Sequence, residues 1–295
     1  MKNKITRREA LIAGAAMFPA FSLLARPPIK KYHIGVQLYS VREEMKKDPL
    51  ATLKKISEIG YREVEPASYV NQQIYGYSAF EFRKILDDLG LSMPTSHTGF
   101  KKAHWDITRN DITDEYKKTL EDAVVTGQKL MIVPSFDWDK KNIDEVKKGI
   151  EAFNRMGEIA SQSGLLIGFH NHHQEFEERI GEGYLYDFML KEWDPRYVVQ
   201  QLDIANMSVA GVDPMAFLRK YPKHYESIHV KDFDPKTKRS THLGEGSLKM
   251  DEILTFAKKN TSIQYWVIEQ EDYGTKTPLE AVDFDLHRFK KYGFI

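Results

Sequence analysis

Short apolar runs alternate with longer amphipathic stretches along most of this chain, and one unit keeps returning: a helical stretch, a glycine, then a short apolar strand. Ser57-Glu58-Ile59-Gly60 leads into Tyr61-Arg62-Glu63-Val64-Glu65, and Asp87-Asp88-Leu89-Gly90 into Leu91-Ser92-Met93-Pro94-Thr95. Val124-Val125-Thr126-Gly127 leads into Leu130-Met131-Ile132-Val133, and Gln162-Ser163-Gly164 into Leu165-Leu166-Ile167-Gly168-Phe169. Each glycine suits the residue just past a helix, where positive φ carries no Cβ clash. Strands this apolar suit a parallel sheet buried on both faces. Helix starts agree: Ser78-Ala79-Phe80-Glu81 is a capping box, and Asp48-Pro49, Asp213-Pro214 and Thr277-Pro278 each place a cap before an N1 proline.

The pattern predicts strands near 34–39, 61–65, 91–97, 129–134, 165–170, 198–203, 225–230 and 264–269, each followed by a helix, the last about 278–292. Strands and helices in strict alternation with right-handed crossovers close into a (β/α)8 TIM barrel. An open doubly wound sheet competes, but no strand is followed by a glycine-rich dinucleotide fingerprint. No low-complexity linker interrupts the pattern, so residues 28–295 read as one domain.

Composition changes this picture only at the edges. Of 295 residues 41% are hydrophobic, enough for a sizeable core. Lys+Arg and Asp+Glu balance at 43 each, which leaves no global field to attract nucleic acid. With no cysteine, disulfides, thiolate metal sites and thiol nucleophiles are excluded. Residues 1–27 read differently from the rest. Lys2, Lys4, Arg7 and Arg8 form a basic start, Leu11 to Ala25 is an apolar run, and Ala25 before Arg26-Pro27-Pro28 resembles a cleavage site. The run is about fifteen residues, short of the roughly 20 that a spanning helix needs. Thr6-Arg7-Arg8 resembles a twin-arginine export signal. The expectation is an exported, periplasmic protein with no stable membrane association once the signal is cleaved; an uncleaved N-terminal anchor is the alternative.

In a barrel of this kind the C-terminal strand ends share one mouth. The residues there are polar: Gln37 and Tyr39 from strand 1, Glu65 from strand 2, His97 from strand 3, and His170-Asn171-His172-His173-Gln174-Glu175 from strand 5. Strand 6 ends with Asp203 followed by Asn206, strand 7 gives His229-Val230-Lys231-Asp232, and strand 8 gives Glu269-Gln270-Glu271. One such group is most simply a structural residue. Acidic and imidazole groups on several strands in one layer are costly to bury unless a cation neutralises them. Asp, Glu and His around one point suit a divalent metal ion: manganese by preference, with zinc, magnesium, iron or cobalt as alternatives.

At this point the chain resembles the xylose-isomerase-like sugar phosphate isomerase/epimerase superfamily. The resemblance rests on Ile34 to Ser40, His170-Asn171-His172 with Glu175-Phe176, Ala210 to Pro214, His229-Val230-Lys231-Asp232 and Gly244-Glu245-Gly246. It implies one divalent metal held by Glu, Asp, His and Glu from strands 5 to 8, which Asp203, His229 and Glu269 match. The strand-5 ligand departs from the pattern, since His170 stands where well-studied epimerases have Glu. Glu175 is the preferred fourth ligand, and a histidine in its stead is the alternative. Dimers and tetramers are common in such a family, but no exposed stripe marks an interface for a homo-oligomer.

A metal that chelates a carbonyl and its neighbouring hydroxyl acidifies the adjacent C–H, and a base then forms an enediolate. Glu269 and Glu175 are the candidates for acid and base, with His172 or His170 as proton carrier. Lys231 stabilises oxyanion character or, equally, forms a salt bridge with Asp232 or Glu269. Glu65, His97, Gln37 and Asn206 are placed for sugar hydroxyls, and Tyr39 and Trp105 for aromatic cover. The expected activity is isomerisation or epimerisation of a sugar or keto-sugar. Loss of a β leaving group, as in inosose dehydratases or the cleavage of 3-keto-glycosides, is the runner-up. A DNA endonuclease and a non-catalytic sugar-binding barrel are weaker readings. His33, His224, His242 and His287 read as surface or capping groups, and Gly244-Glu245-Gly246-Ser247 as a loop.

Overall fold

A computed structural model describes residues 32–294, so the proposed signal segment 1–27 lies outside the described residues. Eight parallel strands carry the architecture: β1 (His33–Gln37), β2 (Glu63–Glu65), β3 (Thr95–His97), β4 (Leu130–Val133), β5 (Leu166–His170), β6 (Val198–Asp203), β7 (Tyr225–Val230) and β8 (Tyr265–Ile268). They are hydrogen-bonded in the order β2-β1-β8-β7-β6-β5-β4-β3. The two ends of that order meet: Val64 N donates to Ser92 O at 2.9 Å, Ser92 N to Arg62 O at 3.0 Å, and His97 N to Pro66 O at 2.8 Å. The sheet therefore curls into the expected barrel.

The helices α1 (Pro49–Ile59), α2 (Ala79–Asp88), α3 (Asp114–Val125), α4 (Ile143–Ser161), α5 (Leu185–Glu192), α6 (Pro214–Lys220), α7 (Met250–Asn260) and α8 (Pro278–Lys291) follow the strands in turn. Their starts are those the sequence marks. Ser78 and Thr277 form reciprocal capping boxes, and Asp48 and Asp213 accept bonds from Ala51 N and Met215 N ahead of N1 prolines. Among the described residues no helix is long and apolar enough to cross a membrane.

β1 and β3 are both shorter than the runs that predict them. β3 begins at Thr95 because Pro94 has no N–H to give a neighbour, while its carbonyl accepts from Lys129 N at 2.8 Å and Leu130 N at 3.1 Å. β1 stops at Gln37, whose side chain caps a 3-10 turn, Leu38–Val41, by accepting from Tyr39 N at 3.1 Å. That turn buries Leu38 and leaves Tyr39 43% exposed at the mouth.

Alternation along β4 separates two apolar regions. Met131 and Val133 face outward into the layer between strands and helices, where Phe153 of α4 packs its ring against Phe100, Phe136, Trp138, Phe169 and Trp193 at centroid separations of 5.5 to 6.2 Å. Leu130 and Ile132 face inward and, with Tyr265, form a small floor inside the barrel flanked by Leu166 and Val199. Gly168 makes that floor fit, since a Cβ there would lie 2.4 Å from Ile132 Cδ1. Above the floor the barrel turns polar.

Candidate active site

The polar layer is organised around Gln201 of β6, which is fully buried. Its carbonyl oxygen accepts from His97 Nε2 at 2.7 Å and His170 Nδ1 at 2.9 Å, while its amide nitrogen donates to Glu65 Oε2 at 2.9 Å and Ser227 Oγ at 3.0 Å. All the bonding capacity of the amide is used, so this assignment fixes the two histidine tautomers. His170, its Nδ1–H engaged, turns Nε2 toward Asp203, whose Oδ2 lies 3.8 Å away.

Glu65 closes the network from below. Its Oε1 accepts from Gln37 Nε2 at 2.8 Å and His229 Nε2 at 2.6 Å, with His97 Nε2 at 3.3 Å. The other nitrogen of His229, Nδ1, lies 3.0 Å from Glu269 Oε2 and 3.9 Å from Asp203 Oδ2. Burial by itself would raise the carboxyl of Glu65, but His97 and His229 outweigh it and hold the group down to about 2. Burial likewise opposes charge on His229, and Glu269 with Glu65 overcomes it, pushing the imidazole up to about 10. His170 is the opposite case. Burial first, then its histidine neighbours, drives it well below its ordinary value, so it is a neutral ligand or acceptor. Glu269 stays ionised, because Lys231 and His229 overcome the burial that would raise it.

Asp203, His229 and Glu269, all buried, place ligand atoms within 4.8 Å of one another, and His97, His170 and His229 form a second group that meets the same test. Asp203 is held by its own helix turn: Oδ1 accepts from Asn206 N at 2.7 Å and Oδ2 from Asn206 Nδ2 at 3.0 Å. Asn171 ties the ends of β5 and β6, donating to Asp203 O at 3.1 Å and accepting from Asp203 N at 3.0 Å. Two carboxylates and two imidazoles fit a divalent ion of the borderline first-row kind, and the carboxylate on the far nitrogen of His229 is the partner that ligating imidazoles usually keep. Ligation would need His229 Nδ1 without its proton.

Lys231 shares these carboxylates. Its buried ammonium lies 3.1 Å from Asp203 Oδ2, 2.8 Å from Glu269 Oε2 and 2.6 Å from Glu271 Oε1. The salt bridge expected with Glu269 is present. Asp232 points away and accepts from four backbone amides, those of Phe233, Gly244, Gly246 and Leu248, at 2.8 to 3.2 Å. A Cβ on Gly246 would lie 2.2 Å from Asp232 Oδ1, which accounts for glycine in the Gly244-Glu245-Gly246 loop.

Above the cluster lies a cleft of about 360 Å³ lined by Tyr39, His97, His170, His172, Asn206 and Glu269 among others. A second hollow of about 350 Å³ adjoins it through His173, Asn206 and Glu271 and is bordered by Arg42, Lys231, Lys238 and Arg239. Some expected residues sit elsewhere. Glu175 is buried outside the cluster, with Oε2 accepting from His172 N at 2.7 Å and Oε1 paired to Lys140 at 2.8 Å. The short helix Gln174–Glu177 turns it away from the mouth. Glu65 and Gln37 are fully buried and engaged within the network, below any sugar. Trp105 lies on a hairpin, Trp105–Asp106 with Asp111–Ile112, and does not line the cleft. His242, expected at the surface, is buried 3.4 Å from Asp285.

Comparison with known proteins agrees with the barrel fold. A family described as a xylose isomerase-like TIM barrel matches residues 53–292. A sugar phosphate isomerase/epimerase from Parabacteroides distasonis superposes with a TM-score of 0.77 at 25% identity, covering 94% of this chain and all of that one. An inosose dehydratase from Clostridium botulinum is 25% identical over 176 residues, 53% of this chain but only 57% of that relative's length. An L-ribulose 3-epimerase shares the fold, with a TM-score of 0.66 at 13% identity over 89% of this chain and 94% of that one.

Proposed function

The chain belongs to the xylose isomerase-like TIM barrel family, and from that footing we propose that it is a divalent-metal-dependent isomerase or epimerase of a sugar or keto-sugar. The observation that supports this most is the convergence of Asp203, His229 and Glu269, with His170 beside them, at the C-terminal mouth. His170 takes the strand-5 place in this reading, because Glu175 is engaged by Lys140 and His172 N. Two imidazoles in the set favour manganese, zinc, iron or cobalt over magnesium. Bound there, such an ion supplies Lewis acidity to a substrate carbonyl.

The remaining work falls to side chains of the cleft. His172 is neutral because burial lowers it, and its ring has no protein hydrogen-bond partner among the described residues, so it is the residue we assign to move a proton at the carbon beside the carbonyl. Asn206 and Tyr39 face the cleft and orient hydroxyls and ring faces. Lys231 lines the adjoining hollow, where its ammonium would meet a developing oxyanion. The same proton removal followed by loss of a β leaving group is the second reading, favoured by the likeness to inosose dehydratases. We also read residues 1–27 as an export signal that takes the protein to the periplasm; its substrate is then an unphosphorylated keto-sugar or glycoside.

The test is elemental analysis of wild type beside Asp203→Ala and Glu269→Ala, each confirmed folded by circular dichroism, followed by incubation with keto-sugars in D2O. Near-stoichiometric metal in wild type alone, with deuterium entering next to the carbonyl in a product of unchanged composition, supports the first reading. Deuterium with loss of water or an aglycone supports the second. A wild type that stays metal-free after exposure to manganese, zinc, iron and cobalt overturns both.

A further inference from the structure

The ammonium of Lys231 and a divalent ion would require the same oxygens. Lys231 Nζ is within 3.1 Å of Asp203 Oδ2 and 2.8 Å of Glu269 Oε2, and these two carboxylates belong to the buried triad that could hold a cation. Among the described residues neither carboxylate has another lysine or arginine beside it. A buried ammonium and a divalent ion sharing two oxygens repel each other strongly, because the surroundings that strengthen each attraction also strengthen the repulsion. Lys231 has a third partner that is not in the triad, Glu271 Oε1 at 2.6 Å, whose side chain is 42% exposed and lies where the two hollows join. The lysine stem is flexible, so its head can leave two partners while keeping the third.

We propose that Lys231 is an exchangeable internal cation of this site: metal binding displaces its ammonium from Asp203 and Glu269 onto Glu271, at the junction of the two hollows. This rests on the reading that the triad holds a divalent ion. Two consequences follow from the positions alone. The site binds metal less tightly than its ligands alone would allow, because the ion must evict a resident charge. The loaded site also presents an ammonium at the substrate cleft, which the unloaded site keeps among its carboxylates.

The experiment is a metal titration of the full chain, freed of metal by chelator, with Mn²⁺ and Zn²⁺ in competition against a fluorescent chelator. Lys231→Met should bind each ion more tightly, on the order of tenfold, since no ammonium has to move. Glu271→Gln should bind several-fold more weakly, since the displaced ammonium loses its remaining partner. General damage to the fold weakens binding, so a tighter variant is a result that damage does not produce. Should Lys231→Met fail to stay folded without metal, Lys231→Gln or release of ion from protein purified with Mn²⁺ gives the same comparison, with slower release expected. Wild type that binds metal while folded lysine variants bind no tighter overturns the exchange and leaves the proposed function standing. A wild type that binds nothing while Lys231→Met takes up the ion overturns the exchange, because the ammonium is then not displaced, and overturns the proposed function with it. If neither binds, the metal reading fails and the exchange fails with it.

Discussion

The annular layer between strands and helices and the axis of the barrel are both buried, yet they are built on opposite terms. In the annulus Phe153 and its ring of aromatic neighbours gain from contact area and dispersion, which have no preferred partner and tolerate repacking. On the axis Gln201, Glu65 and the three histidines gain only because every donor meets an acceptor, and one missing group strands several others. The annulus therefore carries stability and the axis carries the candidate site.

The comparison is broken most forcefully by Phe153→Ala. It should cost about 3–5 kcal/mol of unfolding free energy in denaturant melts. Metal affinity per folded molecule should stay unchanged, and a large loss of affinity would mean the two regions are not separable. On the axis, Glu65→Gln should do the reverse. Loss of the carboxylate behind His229 Nε2 should weaken metal binding roughly 10- to 100-fold while the melt of the metal-free protein moves less than for Phe153→Ala. The smallest effect lies at the rim. Asp285 raises His242 above its ordinary value, and burial opposes this only in part. A raised folded value means that His242 contributes stability fully below its unfolded value near 6.5, and that this is lost as pH rises through the folded value. Melts of wild type should therefore decline slightly on the alkaline side of neutrality, and His242→Gln should flatten that decline. An unchanged slope would remove His242 from the ionic balance of the rim.

Much of the barrel was legible because its signals are local. Glycines after helices, cap residues before prolines and apolar runs each depend on a few neighbouring residues, and those elements fall where the sequence marks them. Asp203, His229 and Glu269 were legible too, since a strand end needs only a strand to be found. Gln201 was missed, although it stands two residues before Asp203 and so shares its inward face by alternation; an uncharged amide simply draws less notice than a carboxylate. Glu175 was misplaced for a different reason. Proximity in sequence to His170 does not say which way the four-residue helix Gln174–Glu177 turns, and Lys140, far off in sequence, decides it. The hairpins in the loops after β2, β3, β5 and β7 are two or three residues per strand, too short to leave a periodic trace.

Asp232 shows what such tertiary choices imply for motion. One carboxylate gathers amides from Phe233, Gly244, Gly246 and Leu248, and the loop they span borders the strand that delivers His229 and Lys231. A segment tied at many independent points frays residue by residue. Here four of the bonds share one carboxylate and are lost together when Asp232 lets go, while Leu243 N on Asp285 and Ser247 on Phe233 O hold the same loop independently.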